Sequence, residues 1–216
     1  MRYELIIFDW DGTLMNSVPK IVACMQAAAA DAEWHGLSVS AIEDIIGLGL
    51  PEAIARLCPG ISPAQAELLR QRYAHHFVHS DATPMPFFDG VAAQVARLRQ
   101  REQQRLAVAT GKSRRGLDRV FAETGSGGWF DASRTADETR SKPHPQMLSE
   151  LLEELAIPVD RAVMVGDTEY DMEMARAIGM DRVAVTYGVH TPTRLAASQP
   201  RWVAHNINEL FDWLYG

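Results

Sequence analysis

An apolar run from Leu5 to Phe8 ends in two acids one residue apart, Asp9 and Asp11, within the segment FDWDGT. Two carboxylates in a partly buried cleft do not both stay ionised without a cation nearby. Further along, the segment GDTEYD carries Asp167 and Asp171, four apart across a predicted strand-to-helix turn, so that both can face one point. No His or Cys stands beside these acids in sequence. Asp9, Asp11, Asp167 and Asp171 therefore read as an oxygen-ligand set that suits a hard cation, most simply Mg2+. Mg2+ held by few carboxylates commonly takes phosphate as a further ligand. Thr110 and Lys142 would supply what such a phosphate lacks, a hydroxyl donor and an ammonium. The segment TGKSRR adds Gly111, Lys112, Arg114 and Arg115 at a predicted helix start. Cations there oppose the helix dipole, and a bound anion would offset the conflict.

Elements that would position these residues are legible as periodicities. Segments 3–9, 105–111, 161–167 and 182–188 are apolar on both faces, the pattern of buried parallel strands, and 133–138 is a weaker fifth. Helical patterns cover 90–102, 114–124, 145–156 and 171–178, and the chain closes with the helical INELFDWLYG. Strands alternating with helices of this length predict an α/β fold, a doubly wound parallel sheet covered on both faces. Ligands bind beyond the carboxyl ends of such strands, which is where Asp9, Asp11, Thr110 and Asp167 fall. One segment breaks the alternation: residues 15–84 show only helical patterns. Ser17 stands as N-cap of the first, while Ser62, Pro63 and Gln65 form a capping-box pattern opening the last. The predicted division is a core of residues 1–14 and 85–216 and an α-helical insert of 15–84.

Composition narrows the function classes. The 216 residues carry 21 Lys and Arg against 28 Asp and Glu, a net charge of −7, which argues against a nucleic-acid partner. No apolar run approaches the ~18 residues of a membrane span, and charges appear within the first nine residues, so neither a membrane nor a secretory leader is expected. Cys24 and Cys58 lack CxxC partners and read as small buried residues in a reducing compartment. The expectation is a cytoplasmic monomer or weak homodimer.

The ordered set DWDGT, Thr110, KPHP and GDTEYD resembles the haloacid dehalogenase-like (HAD) hydrolase superfamily over nearly the whole chain, with a Rossmann-like core. The insert is similar to the α-helical cap found in its phosphoglycolate phosphatase and β-phosphoglucomutase branches. The resemblance implies that Asp9 is a nucleophile forming an aspartyl-phosphate and Asp11 the general acid, then base. It implies that Thr110 and Lys142 hold the phosphoryl group. Asp9, the carbonyl of Asp11, Asp167 and Asp171 (directly or through water) would serve Mg2+. Gly111-Lys112 replaces the Asn usual after the Thr, so what that Asn does for the substrate in relatives is either missing here or delegated to Lys112.

Within the superfamily the residues favour a phosphatase of a small phosphorylated metabolite. A sugar phosphomutase is the alternative. Its relatives place Lys before and Arg shortly after the cap glycine corresponding to Gly47, where this chain has Ile46 and Leu50; Arg56 is the nearest cation. The segment GLGLP, residues 47–51, fits a specificity loop as well as a plain interhelical turn. Dehalogenase relatives lack the second acid, and phosphonatase relatives use a cap lysine, of which the insert has only Lys20. A phospho-receiver domain shares the acid cluster but not the helical insert. His75, His76 and His79 lie on one helix without a third metal ligand at matching spacing and read as solvated or partly packed. Trp202 and Trp213 are assigned to the core or a domain edge.

Overall fold

The computed structural model describes residues 3–216. Six parallel strands form one sheet: β1 (Leu5–Phe8), β2 (Arg105–Thr110), β3 (Ala132–Thr135), β4 (Ala162–Gly166), β5 (Asp181–Val185) and β6 (Trp202–Ala204), in the order β3-β2-β1-β4-β5-β6. The α/β, doubly wound architecture expected from the periodicities is the one the chain adopts. The strand order reverses between β1 and β4, so their carboxyl ends border the crevice where such sheets bind ligands.

Alternation along β1 explains why it reads as apolar on both faces. Ile6 and Phe8 enter a cluster with Leu106, Val108, Val163, Val165, Val183 and Val185. That face is covered by α5 (Val91–Arg99), α6 (Arg114–Thr124) and α10 (Ile207–Tyr215). Leu5 and Ile7 point the other way, into a cluster with Ala107, Ala109 and Met164 covered by α7 (Gln146–Leu155) and α8 (Glu169–Ala177). Each side of β1 thus buries side chains worth roughly 1.5–3 kcal/mol apiece.

Between β1 and the rest of the sheet stand α1 (Val18–Asp31), α2 (Val39–Asp44), α3 (Leu50–Leu57) and α4 (Pro63–His75), the last continued by a π turn over His76–Ser80. They pack around their own apolar centre, including Met25, Ile42, Ile54, Cys58 and Leu69. Ser62 accepts from the Gln65 amide, as its capping pattern predicts. Ser17 does not cap: it stands at the N-cap of α1 in helical backbone, and its hydroxyl bonds the Asp11 carboxylate instead. No described helix is long and apolar enough to cross a membrane. Both cysteines are buried and free.

Two features differ from the sequence reading. The weaker candidate at 133–138 is a strand, β3, but it begins one residue earlier and ends at Thr135, with 136–138 in a turn. Strand β6 was not legible: three residues with exposed Trp202 carry no alternation long enough to read. Trp202 lies on the sheet edge at 45% exposure, whereas Trp213 packs against the core, its ring 5.7 Å from that of Tyr3.

Between the two acids of FDWDGT sits Trp10, fully buried, with edge-on contacts to Phe87, Phe121 and Phe130 at 5.7, 5.4 and 6.0 Å. Phe87 lies on the return segment from the insert, so this one side chain ties the acid loop to the chain's re-entry into the core. Trp10→Ala is expected to cost about 3–5 kcal/mol in urea unfolding, the range for deleting a buried aromatic. A loss under about 1 kcal/mol would show that the loop is held by other contacts.

Candidate active site

Asp9 follows β1 directly, and its amide bonds the Val165 carbonyl of β4 at 2.9 Å. This fixes its side chain at the switch point. Lys142 reaches in from the segment before α7 and places its Nζ 2.6 Å from Asp9 Oδ1 and 2.6 Å from Asp171 Oδ1. Asp167, at the end of β4, accepts from the Thr13 hydroxyl at 2.9 Å and the Val189 amide at 2.8 Å. Asp171 lies in the first turn of α8, where Thr168 caps the helix. Its Oδ2 accepts from the Thr168 amide at 3.1 Å and hydroxyl at 2.6 Å. Ligand oxygens of Asp9, Asp167 and Asp171 lie within 4.8 Å of one another, and all three residues are buried.

Three carboxylates thus face one ammonium. Burial pushes the Asp9 carboxyl well above its ordinary range, and Asp171 and Asp167 add to the rise against the opposing pull of Lys142. Asp167 is pushed up to about 7 by burial first and then by Asp171. Burial opposes the charge on Lys142, but Asp171 and Asp9 outweigh it and keep the ammonium protonated. Asp9 Oδ2 is buried with no hydrogen-bond partner. An orphaned oxygen beside a surplus of carboxylates is a fit for a divalent cation held by oxygen ligands. Asp171 has its oxygens engaged by Lys142 and Thr168, and Asp167 by Thr13 and the Val189 amide, so Asp9 Oδ2 is the one unpartnered carboxylate oxygen of the three.

Asp11 turns its carboxylate away from this cluster. It accepts from Ser17 Oγ at 2.5 Å and meets Lys112 Nζ at 2.8 Å. Thr110 ends β2 fully buried, and its Oγ1 accepts from the Lys112 amide at 3.2 Å, which leaves the hydroxyl proton for another acceptor. Gly111 packs directly under the insert: a Cβ there would stand 2.5 Å from the Leu48 carbonyl oxygen and 2.7 Å from that of Gly47. A Cβ on Gly47 would stand 3.2 Å from Thr168 Oγ1, and the Gly49 amide bonds Ser141 Oγ at 2.7 Å, next to Lys142. Loop 44–49 therefore closes over the strand ends.

Not every expected residue converges here. Arg56 is half exposed, pairs with Asp44 at 3.3 Å and lies over the Tyr170 ring, outside the acid cluster. At the α6 start the chain supplies its own anions: Arg114 pairs with Glu138 and Asp118, and its amide donates to Asp137. His75 and His79 are exposed, and His76 bonds Asp31 at 2.8 Å. Thr13, Ser17, Ser141 and Thr168 hold the acids and the loop, and Gly188 lets Asp167 approach where a Cβ would stand 2.2 Å from its Oδ2. A lone hydroxyl or glycine in a loop gives no periodic signal. Only Thr168, three before an acid at a helix start, could have been read as a capping box.

Residues 6–185 match the model of the haloacid dehalogenase-like hydrolases. The chain belongs to that family. It is 30% identical over 210 residues to "Probable phosphatase IndB" of Dickeya dadantii, covering 95% of this chain and 91% of that one. It is 29% identical over 210 residues to a phosphoglycolate phosphatase of Synechococcus elongatus, covering 97% and 96%. The crystal structure of a predicted phosphatase from Clostridium acetobutylicum superposes with a TM-score of 0.88 at 22% identity, over 100% of this chain and 99% of that one, which shows a shared fold. With the family match, these relatives make the chain a phosphatase of the hydrolase class.

Gly111→Ala is expected to lower kcat/KM about tenfold or more by displacing loop 44–49. Its cost in urea unfolding should stay within about 1 kcal/mol, because the clash lies on the seam rather than inside either apolar core. Undiminished turnover would show that the seam is not part of the working site.

Proposed function

We propose that the chain is a Mg2+-dependent hydrolase of a small phosphorylated metabolite of the phosphoglycolate type, acting through an aspartyl-phosphate on Asp9. The observation that carries this reading is Asp9 itself. It stands at the switch point, one oxygen held by Lys142 and the other buried and unpartnered.

In the first step an Asp9 carboxylate oxygen forms a bond to phosphorus as the ester P–O bond breaks. Asp11 gives its proton to the departing oxygen. In the second, Asp11 takes a proton from water, which attacks phosphorus and releases phosphate and free Asp9. Covalent catalysis splits one difficult displacement into two easier ones, and a placed acid–base adds roughly 10²–10⁴-fold. Ser17 and Lys112 hold the Asp11 carboxylate apart from that of Asp9, which gives the two acids separate tasks. Lys142 and the Thr110 hydroxyl would hold the phosphoryl oxygens. Asp9, Asp167 and the Asp11 carbonyl would bind the ion, with Asp171 acting through Lys142 or water. When bound, Mg2+ would neutralise the carboxylates and the phosphoryl charge.

A small substrate fits the tight closure of loop 44–49 over the site. Lys112 lies on the leaving-group side paired with Asp11, and would exchange that partner to meet a substrate carboxylate. Hydrolysis is favoured over phosphoryl shuttling because Ile46 is buried and Arg56 is engaged by Asp44, so loop 45–51 offers no cation to a second phosphate.

The test is rapid-quench labelling with a ³²P-phosphoester such as phosphoglycolate. The wild-type chain should give an acid-stable, hydroxylamine-sensitive phosphoprotein with the label on Asp9. Asp9→Asn should give none while remaining folded, since it removes one of the crowded charges. Label on any other residue would refute the mechanism.

A further inference from the structure

Asp9, Thr110, Lys142 and Asp167 are each no more than 2% exposed, so a phosphoester reaches them only if the insert lifts from the core. Most contacts along the seam are neutral: the backbone packing of Gly111 on Gly47 and Leu48, and the Gly49 amide on Ser141. One is charged. Arg194, on the short helix α9 (Pro192–Ala196) of the core, grips Glu169 with two parallel bonds, Nε to Oε2 at 2.7 Å and Nη2 to Oε1 at 2.5 Å. Its remaining Nη1 bonds the carboxylate of Asp44, which belongs to the insert. The Asp44 carbonyl accepts from the Tyr170 hydroxyl at 2.6 Å and faces His190 Nε2 at 3.4 Å, while His190 Nδ1 accepts from the Glu169 amide at 3.0 Å.

Glu169 and Tyr170 stand between Asp167 and Asp171 in the chain. The same contacts that seat the insert therefore grip the turn carrying two of the clustered acids. The fork geometry of a guanidinium suits this: two bonds fix Arg194 on the core, and the third is left for the moving part. Arg194 and Asp44 keep 27% and 36% side-chain exposure, so dissolved salt reaches the pair. A half-wet ion pair is worth little in stability and breaks readily. That suits a contact that must open and close, and not one that only holds a fold together.

We propose that Arg194 is a positioning residue, and that its bridge between Glu169 and Asp44 is the clasp that seats the insert in its closed position and sets access to Asp9. The kinetic part of this rests on Asp9 being the reacting centre; the seating part does not.

The test uses the full chain. Hydrogen–deuterium exchange is followed over residues 44–50 and 167–171, and hydrolysis of 2-phosphoglycolate and p-nitrophenyl phosphate is measured against NaCl. Arg194→Gln should raise deuterium uptake in 44–50. It should also raise KM for whichever of the two esters is turned over by about three- to fivefold with kcat within about twofold, the split expected when closure rather than chemistry is weakened. Wild-type KM should climb toward that of the variant as salt approaches ~1 M, where screening acts within about 3 Å, while the variant stays flat. Arg194→Lys should restore part of the protection, and Asp44→Asn, which also frees Arg56, combined with Arg194→Gln should be no worse than the more damaging single change. Unchanged uptake in 44–50 on Arg194→Gln, equal salt dependence in both proteins, or additive single effects would overturn the clasp. Uptake decides the seating independently of turnover, so a failure of the Asp9 mechanism is told apart from a failure of the clasp.

Discussion

Three carboxylates share a dry pocket with one ammonium, and the arrangement of the core follows from that imbalance. Removing an ionised carboxylate from water costs several kcal/mol unless it is paired and hydrogen-bonded. Asp171 meets the requirement with Lys142 and a capped helix start, and Asp167 meets half of it with Thr13 and the Val189 amide. Asp9 does not: one oxygen has Lys142 and the other has nothing. The chain therefore holds its own nucleophile candidate in a state that only an added cation or a proton completes. A residue kept that way at a strand end is poised for chemistry at a stability cost that the apolar sheet around it offsets.

The topology makes the crowding possible. Strands β1 and β4 are neighbours whose connections leave in opposite directions, so no crossover covers the crevice between their ends. Asp9 and Asp167 stand on its two sides, Thr110 ends the next strand over, and Lys142 arrives from the loop after β3. The helical insert supplies what an open sheet lacks, a lid that excludes water and strengthens every charge interaction beneath it. Its contact with the core is mostly backbone on backbone at Gly47, Leu48 and Gly111, with the charged bridge through Asp44 and Arg194 at the rim.

Order and spacing in the sequence placed Asp9, Thr110 and Asp167 at strand ends and Lys142 just ahead of a helix, and the structure has them there. The sequence carried β1, β2, β4 and β5 because buried parallel strands are uninterrupted apolar runs. It did not carry β6, where three residues and an exposed Trp202 leave no period to read. Nor did it carry the partners that make the acids tolerable. Ser17 looked like a helix cap and instead serves Asp11, since both uses ask for the same hydroxyl at the same place. Arg56 was the nearest cation in sequence to the Gly47 loop, yet it turns toward Asp44. The side chain that bridges insert and core, Arg194, lies 150 residues from its partner Asp44, a separation no local pattern encodes.

Burial and mutual crowding raise Asp9 and Asp167 toward their protonated forms, and a divalent ion bound there would displace those protons. Titration calorimetry of Mg2+ into the metal-free chain, repeated in buffers of different ionisation enthalpy, counts the protons released. Asp167 held at about 7 keeps its proton below that pH and loses it above, and Asp9 is raised in the same direction. Binding at pH 6 should therefore release about one proton or more per ion, and the number should fall as pH rises through 7 toward 8.5. Mg2+ binding with no proton release at pH 6, or with a release that does not change across that range, would contradict it.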